Sequence, residues 1–422
     1  MRGERLVLGM ALAMALGSGG ACGSDGGDTT SGKGGSIDWS GSGGSGGNLG
    51  TGGLAGTGGE GATGAGSSTS NTGGMTGSGG DGGTGAGGPA SVVAIGVGPS
   101  SGLLAAWDGA AWTVAALGEG SAAGPAIAAV ASGEAAALFP APNGTLRRLA
   151  YTSSGWGSVA DLGASTGATT PPRAAAGGHF TFLGENFLHY YAAYGAVTWS
   201  PAEEAVLPSM GAQSFGPSPA GIARDGSDVT IAFAGNDGAL YTQTRSGGQW
   251  QGATMVAGSK VLLPPALIAL SGGDALLTWV NEDPMSTDHT KIMFSRRTGS
   301  AWSSPAIIDA GVFTQAPIAA TALPADGAVV VYRGSDGKAY SVRYAGGQWG
   351  LPFGVGTPSV DVIGSPAVAP GASGGSTSAD AEMCFVGSGG DLHHTRLMGT
   401  AWSSPEAMGG SGLTSCAVAT IE

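Results

Sequence analysis

A tryptophan that recurs with the same neighbours limits the fold of this chain more than any other feature. Trp156, Trp199, Trp250, Trp349 and Trp402 are preceded at thirteen residues by Asn143, Asn186, Asp237, Asp336 and Gly389, and at nine residues by Arg147, Tyr190, Tyr241, Tyr340 and His393. In the two fullest copies, residues 235–250 and 334–349, an Asp-Gly pair, a tyrosine and a Gly-Gly-Gln-Trp follow in fixed register. Asp-Gly or Asn-Gly between apolar runs predicts a tight type I′ hairpin, whose two central residues take positive φ. The constant distance from that turn to the tryptophan fixes one strand's length and register. Trp112 and Trp302 extend the series less cleanly, with Pro99 and His289 at the turn position and Leu103 and Met293 at the tyrosine position.

Seven tryptophans about 43 to 53 residues apart are what four-stranded propeller blades require, one tryptophan to a blade. The expected fold is therefore all-β, a seven-bladed propeller over residues 91–422. Short, largely apolar runs such as 229–233 and 328–332 suit strands covered on both faces by neighbouring blades. Segments led by Pro125, Pro219, Pro265, Pro317 and Pro366 and followed by small residues suit the innermost strands, which crowd around the axis. The first unit lacks such a segment, whereas the chain carries an unpaired one at its end, residues 415–421. The C-terminal strand is thus expected to complete the first blade and leave no open sheet edge.

Ahead of the repeats, Arg2 and Arg5 precede an apolar run at 6–16, then small residues, then Cys22. That order is a secretory signal over 1–21, too short in its apolar part to span a bilayer permanently. Cys22 after Gly-Ala resembles the lipobox of bacterial lipoproteins, in which this cysteine is acylated. Gly19 replaces the leucine the pattern favours, so plain signal cleavage stays open. Gly23 in place of Asp implies, by the same resemblance, the outer membrane or cell surface. Residues 22–90 are Gly- and Ser-rich, lack the apolar surface to offset ordering, and read as a disordered tether reaching about 45 Å. Its G-x-G-x-x-G matches, as at 41–46, lie between no strand and helix and carry no phosphate-binding meaning.

A net charge of −13 argues against nucleic acid or an anionic membrane surface as partner, leaving membrane contact to the lipid anchor. Three cysteines in 422 residues suit an exported protein. Cys384 and Cys416 fall on adjacent strands of the expected fold. They either bridge, closing a loop of about thirty residues for about 3 kcal/mol, or stay as two buried thiols. The segment 281–289 holds three carboxylates and His289, but without the ligand spacing of a known Ca²⁺ loop. Nothing implies a metal, a cofactor or a catalytic triad.

The G-x-D-G-x-x-Y strand followed by G-G-x-W resembles the repeat of the PLL-type bacterial seven-bladed propeller lectins and, more distantly, that of the six-bladed fungal fucose lectins. The resemblance spans residues 91–422. It implies a non-catalytic module that binds a glycan between blades, with an aromatic face against the sugar ring and Arg, Asn or acidic groups on the hydroxyls. On that reading the candidate ligand residues are Asp237, Tyr241, Arg245 and Trp250 in blade four and Asp336, Tyr340, Arg343 and Trp349 in blade six. The Arg-Glu-Trp trio of the fungal sites does not repeat along this sequence. A scaffold propeller with a cell-envelope protein as partner is the alternative, in which the repeated aromatics pack blade on blade. A sialidase-like glycoside hydrolase is disfavoured, because the S-x-D-x-G-x-x-W turn and the F/Y-R-I-P signature are both missing.

Overall fold

The computed structural model describes residues 90–421, apart from 164–166, 169, 196–197, 206–219, 236, 258–260, 283–289, 309–312, 357–358 and 373–377. The signal, Cys22, the Gly-rich segment, Pro219 and most of the acidic 281–289 segment lie outside the described residues.

The described chain forms seven antiparallel sheets, each a four-stranded blade, built from successive strands in six of them. Blade six shows the pattern: Ala319–Leu323 innermost, then Gly327–Arg333, Ala339–Ala345 and an outer strand in two pieces, Gln348–Trp349 and Phe353–Gly354. Both pieces pair with the third strand, and the chain between them turns at Gly350, whose N–H reaches the Arg343 carbonyl at 2.8 Å. Only one short 3₁₀ turn, Ser271–Gly273, interrupts the β structure among the described residues.

Blade one is closed by the end of the chain. Ser415–Thr420 pairs along its whole length with Val92–Val97, from Val97↔Ser415 to Val92↔Thr420, and takes the innermost position. The ends are fastened further by Thr414 N–H to the Val97 carbonyl (2.8 Å) and Ile421 N–H to the Ser91 carbonyl (2.9 Å). A disulfide joins Cys416 on this strand to Cys384 on the second strand of blade seven, across 6.3 Å between Cα atoms.

The apolar core lies between blades. Val93, Ile95, Leu104, Ala137 and Phe139 join blades one and two, while Val329, Val331, Met383 and Phe385 join six and seven. Second strands such as Glu134–Pro140 and Ala381–Gly387 are buried almost throughout, as their largely apolar sequence required, with Glu382 the buried exception.

The Asp-Gly turn is built differently from the expected type I′. Gly337 takes φ 81° and Gly238 φ 77°, but neither Asp336 nor Asp237 has positive φ. Gly337 N–H bonds the Gly334 carbonyl at 3.0 Å and Gly334 N–H bonds the Lys338 carbonyl at 2.8 Å. This is a type I turn closed by a left-handed glycine, as in three-residue hairpin loops. The aspartate is there as an acceptor. Asp336 Oδ1 takes the Lys338 N–H (3.1 Å) and Oδ2 takes the Tyr340 hydroxyl (2.7 Å). Asp237 does the same for Ala239 N–H (2.9 Å) and Tyr241 (2.8 Å). The leading glycine is equally constrained, since a Cβ on Gly334 would stand 2.7 Å from both Tyr340 Cε2 and Asp336 Oδ1. Consecutive positive φ occurs instead in the Gly-Gly of the tryptophan turn, at Gly346 (58°) and Gly347 (84°).

Candidate functional site

The strand registers place one residue of each third strand against the tryptophan of the next blade. Trp302 Nε1 donates to Thr242 Oγ1 (3.2 Å) and Trp402 Nε1 to Ser341 Oγ (2.8 Å). At the same register Tyr191 meets Trp250 (ring centroids 5.8 Å apart), Phe294 meets Trp349 (5.6 Å) and His394 meets Trp112 (4.8 Å). Where that position is Thr or Ser the indole N–H is satisfied. Where Tyr191, Phe294 or His394 stands there, Nε1 of Trp250, Trp349 and Trp112 has no acceptor. The repeated tryptophans are therefore blade-to-blade packing residues whose surroundings differ from junction to junction.

Asp237 with Tyr241, and Asp336 with Tyr340, are hydrogen-bonded to each other as described above. The Asp237 hydrogen bond pushes the Tyr241 hydroxyl up, and the Asp336 hydrogen bond does so for Tyr340. Burial raises the Asp336 carboxyl, but the Tyr340 hydroxyl and the Lys338 N–H outweigh it and hold it below the usual carboxylate range. Arg245 and Arg343 were expected to present charge for solvent or a ligand to satisfy; the structure gives both a protein partner. They also point to different faces, because Arg245 pairs with Trp250 across the sheet whereas in blade six Tyr344 pairs with Trp349 and Arg343 stands one position nearer the turn. Arg343 reaches forward to the Gly399 carbonyl and to Asp380 (3.9 Å) of blade seven. Trp349 reaches back to Phe294 of blade five, so the blade-six candidates separate onto two junctions.

The blade-four candidates come together. Arg245 Nε donates to Glu203 Oε1 (2.6 Å) and Nη2 to Oε2 (3.4 Å), a two-pronged contact with the end of blade three. Its guanidinium lies 5.1 Å from the centre of the Tyr191 ring, and Trp250 meets the same ring edge-on. The Tyr191 hydroxyl is 2.6 Å from His179 Nδ1. Burial, then the positive charges of Arg224 and Arg245, pushes His179 down to about 4, so the imidazole is neutral at neutral pH. Burial raises the Tyr191 hydroxyl. Glu203 and Arg245 keep 41% and 24% of their side chains exposed, so both remain within reach of a ligand.

One further Arg-Glu-Trp grouping lies between blades seven and one, with its carboxylate buried. Glu382, 1% exposed, accepts from His394 Nε2 (2.7 Å) and faces Arg396 Nε (3.4 Å), whose guanidinium lies 4.3 Å from the Trp107 ring centre. Sequence reasoning missed Glu203 and Glu382 because each trio is completed across a junction, Glu203 meeting Arg245 of the next blade and the Glu382–Arg396 pair meeting Trp107 of blade one. The only available signal was their register: Glu203 pairs with Tyr191, and Glu382 pairs with Arg396.

Comparison of the sequence with protein-family models and with curated proteins returns no match. Among solved structures the chain is similar to AofleA from Arthrobotrys oligospora, with a TM-score of 0.50 at 11% identity, over 72% of this chain and 94% of that one. The fold is therefore shared. The fucose-specific lectin of Aleuria aurantia aligns with a TM-score of 0.43 at 18% identity, over 68% of this chain and 96% of that one. A PL25 ulvan lyase aligns with a TM-score of 0.40 at 10% identity, over 65% and 80%.

Proposed function

We propose that this propeller is a non-catalytic carbohydrate-binding module whose working site is the junction of blades three and four. The observation that carries the reading is the partly exposed set Arg245, Glu203 and Trp250, gathered around the buried Tyr191 ring. Aromatic surface covers the apolar face of a sugar ring, while a fixed guanidinium and carboxylate donate to and accept from its hydroxyls. The Glu203 carboxylate has about four acceptor positions and Arg245 uses two of them, so acceptors remain for a ligand. A glycan is also the partner named by the repeat's resemblance to propeller lectins. A glycan array on the purified, multimerised chain tests the proposal, with Glu203→Gln and Arg245→Ala alongside.

Hydrolysis is the weaker reading. Arg296, Arg343 and Arg396 share one register, but they lie on three blades and each has its own partner: Asp274, Asp380 and Glu382. They do not converge on one carboxylate as a sialidase site needs. A protein-binding scaffold has one observation in its favour. Met255 (59% exposed), Ile307 (42%) and Leu351 (81%) put large apolar side chains along the outer edge of blades four, five and six.

We further propose that the module is exported and held at the outer membrane through an acylated Cys22. The order of basic, apolar and small residues ahead of that cysteine supports the reading. Cys22→Ala should move the protein from the membrane fraction to the soluble one, since a multiply acylated cysteine holds a bilayer firmly. Unchanged fractionation would reject the anchor.

A further inference from the structure

The inner strands show one break in an otherwise uniform ring. Counting from the tyrosine register, Ala126, Gly221, Ala266, Ala319, Ala367 and Ala417 occupy the same position in six blades. In blade three that position is Arg173, paired with Thr181. All seven residues line a cavity of about 340 Å³ on the propeller axis.

This cavity suits a charge poorly unless something answers it. Its wall is formed mostly by apolar inner-strand residues and by prolines that have no N–H to donate, such as Pro125, Pro171 and Pro265, with only the hydroxyls of Ser365, Thr414 and Ser415 as uncharged polar side chains. Arg173 is the one charged side chain among the described residues that line it, and no described Asp or Glu does. Its Nε is buried without a hydrogen-bond partner. By contrast Arg224, beside the second axial cavity of about 470 Å³, gives its Nε to the Gly226 carbonyl at 2.7 Å. Burial alone pushes Arg173 down to about 10, which leaves the guanidinium charged at neutral pH with no carboxylate acting on it. A desolvated, unpaired charge is costly to a fold and is normally neutralised by a partner. Six small neighbours leave room for one.

We propose that the proline-lined end of the axial channel is an anion site, in which Arg173 holds a small oxyanion: a carboxylate, phosphate or sulfate group. The guanidinium fork presents parallel N–H donors that match two oxygens of such a group. The cavity is several times the roughly 30 Å³ of a water molecule, enough for inorganic phosphate or the acidic end of a sugar acid. The site is separate from the blade-junction site and does not depend on it.

Thermal melting of the full chain tests this, with inorganic phosphate and galacturonate as probes, galactose as the uncharged control and sodium chloride at matched ionic strength as the salt control. Arg173→Ala gives blade three the residue that five other blades carry, so it should fold and melt no lower than wild type in probe-free buffer. Wild type should gain about 1–3 °C at ten times the dissociation constant, saturably, and Arg173→Ala should gain nothing beyond the salt control. A response to phosphate alone identifies a free oxyanion as the ligand, and a response to galacturonate without galactose identifies a sugar carboxylate. Equal responses in wild type and Arg173→Ala, or none in either, would overturn the site. So would an Arg173→Ala chain that melts well below wild type, since Arg173 would then be serving the fold.

Discussion

The repeat motif is a self-bracing turn in which every specified residue has a mechanical task. Asp336 closes the turn through Lys338 N–H and receives the Tyr340 hydroxyl, and Gly334 yields the space that ring occupies. Asp336→Ala should lower stability by about 1–2 kcal/mol, because two donors lose one acceptor. Gly334→Ala should cost at least as much through overpacking; urea unfolding of the two variants checks both. Histidine sets the acid limit. His179 and His189 are pushed from 6.5 down to about 4, in both cases chiefly by burial. The unfolded chain therefore binds more protons between those values, so stability is complete above about pH 6.5 and falls as pH drops toward 4. A melting temperature that is flat across that window in wild type would show that neither imidazole is held neutral. His179→Gln should flatten part of the slope.

At the scale of strands, closure is the feature most open to test. The Cys384–Cys416 disulfide ties the closing strand to blade seven across a separation of 32 residues. A loop of that length corresponds to about 3–4 kcal/mol in the chain-entropy account. Cys384→Ala with Cys416→Ala should accordingly melt several degrees lower than the oxidised wild type while retaining the β-sheet circular-dichroism spectrum. Deleting residues 413–422 should do far more, because Val92–Val97 then loses its inner partner along its whole length. A truncated chain that is monomeric and melts unchanged would contradict the closure. This level was largely legible in the sequence: blade number, hairpin positions and the terminal strand follow from the spacing of the tryptophans, short apolar runs and turn residues, which act locally. The inner strand of blade three was not, since Pro171-Pro172 and the alanines after Arg173 look like a broken apolar segment until the register is known. The turn type was missed because Asp-Gly serves two hairpin geometries, and the carboxylate's hydrogen bonds selected between them.

Across the whole molecule, seven near-equivalent junctions have become unequal, and the proposed site is one of the unequal ones. The junction residue is Thr242 or Ser341 where an indole needs an acceptor, and His394 where Glu382 and Arg396 fill the space. It is Tyr191 where Arg245 and Glu203 remain open to solvent. Little of this was legible beforehand, because each trio is completed across a junction, by Glu203 42 residues from Arg245 in one case and by Trp107 from the other end of the repeat region in the other. A monosaccharide on one such platform would bind with a dissociation constant near the millimolar range, about 4 kcal/mol, so multimerised protein is needed to see it. The decisive measurement is a glycan array on the multimerised chain, read for wild type and for Glu203→Gln at equal melting temperature. The account predicts sugar binding by wild type that is reduced at least tenfold in the variant. An array blank for wild type, with a protein partner recovered from envelope extracts, or sugar binding that Glu203→Gln leaves unchanged, would contradict it.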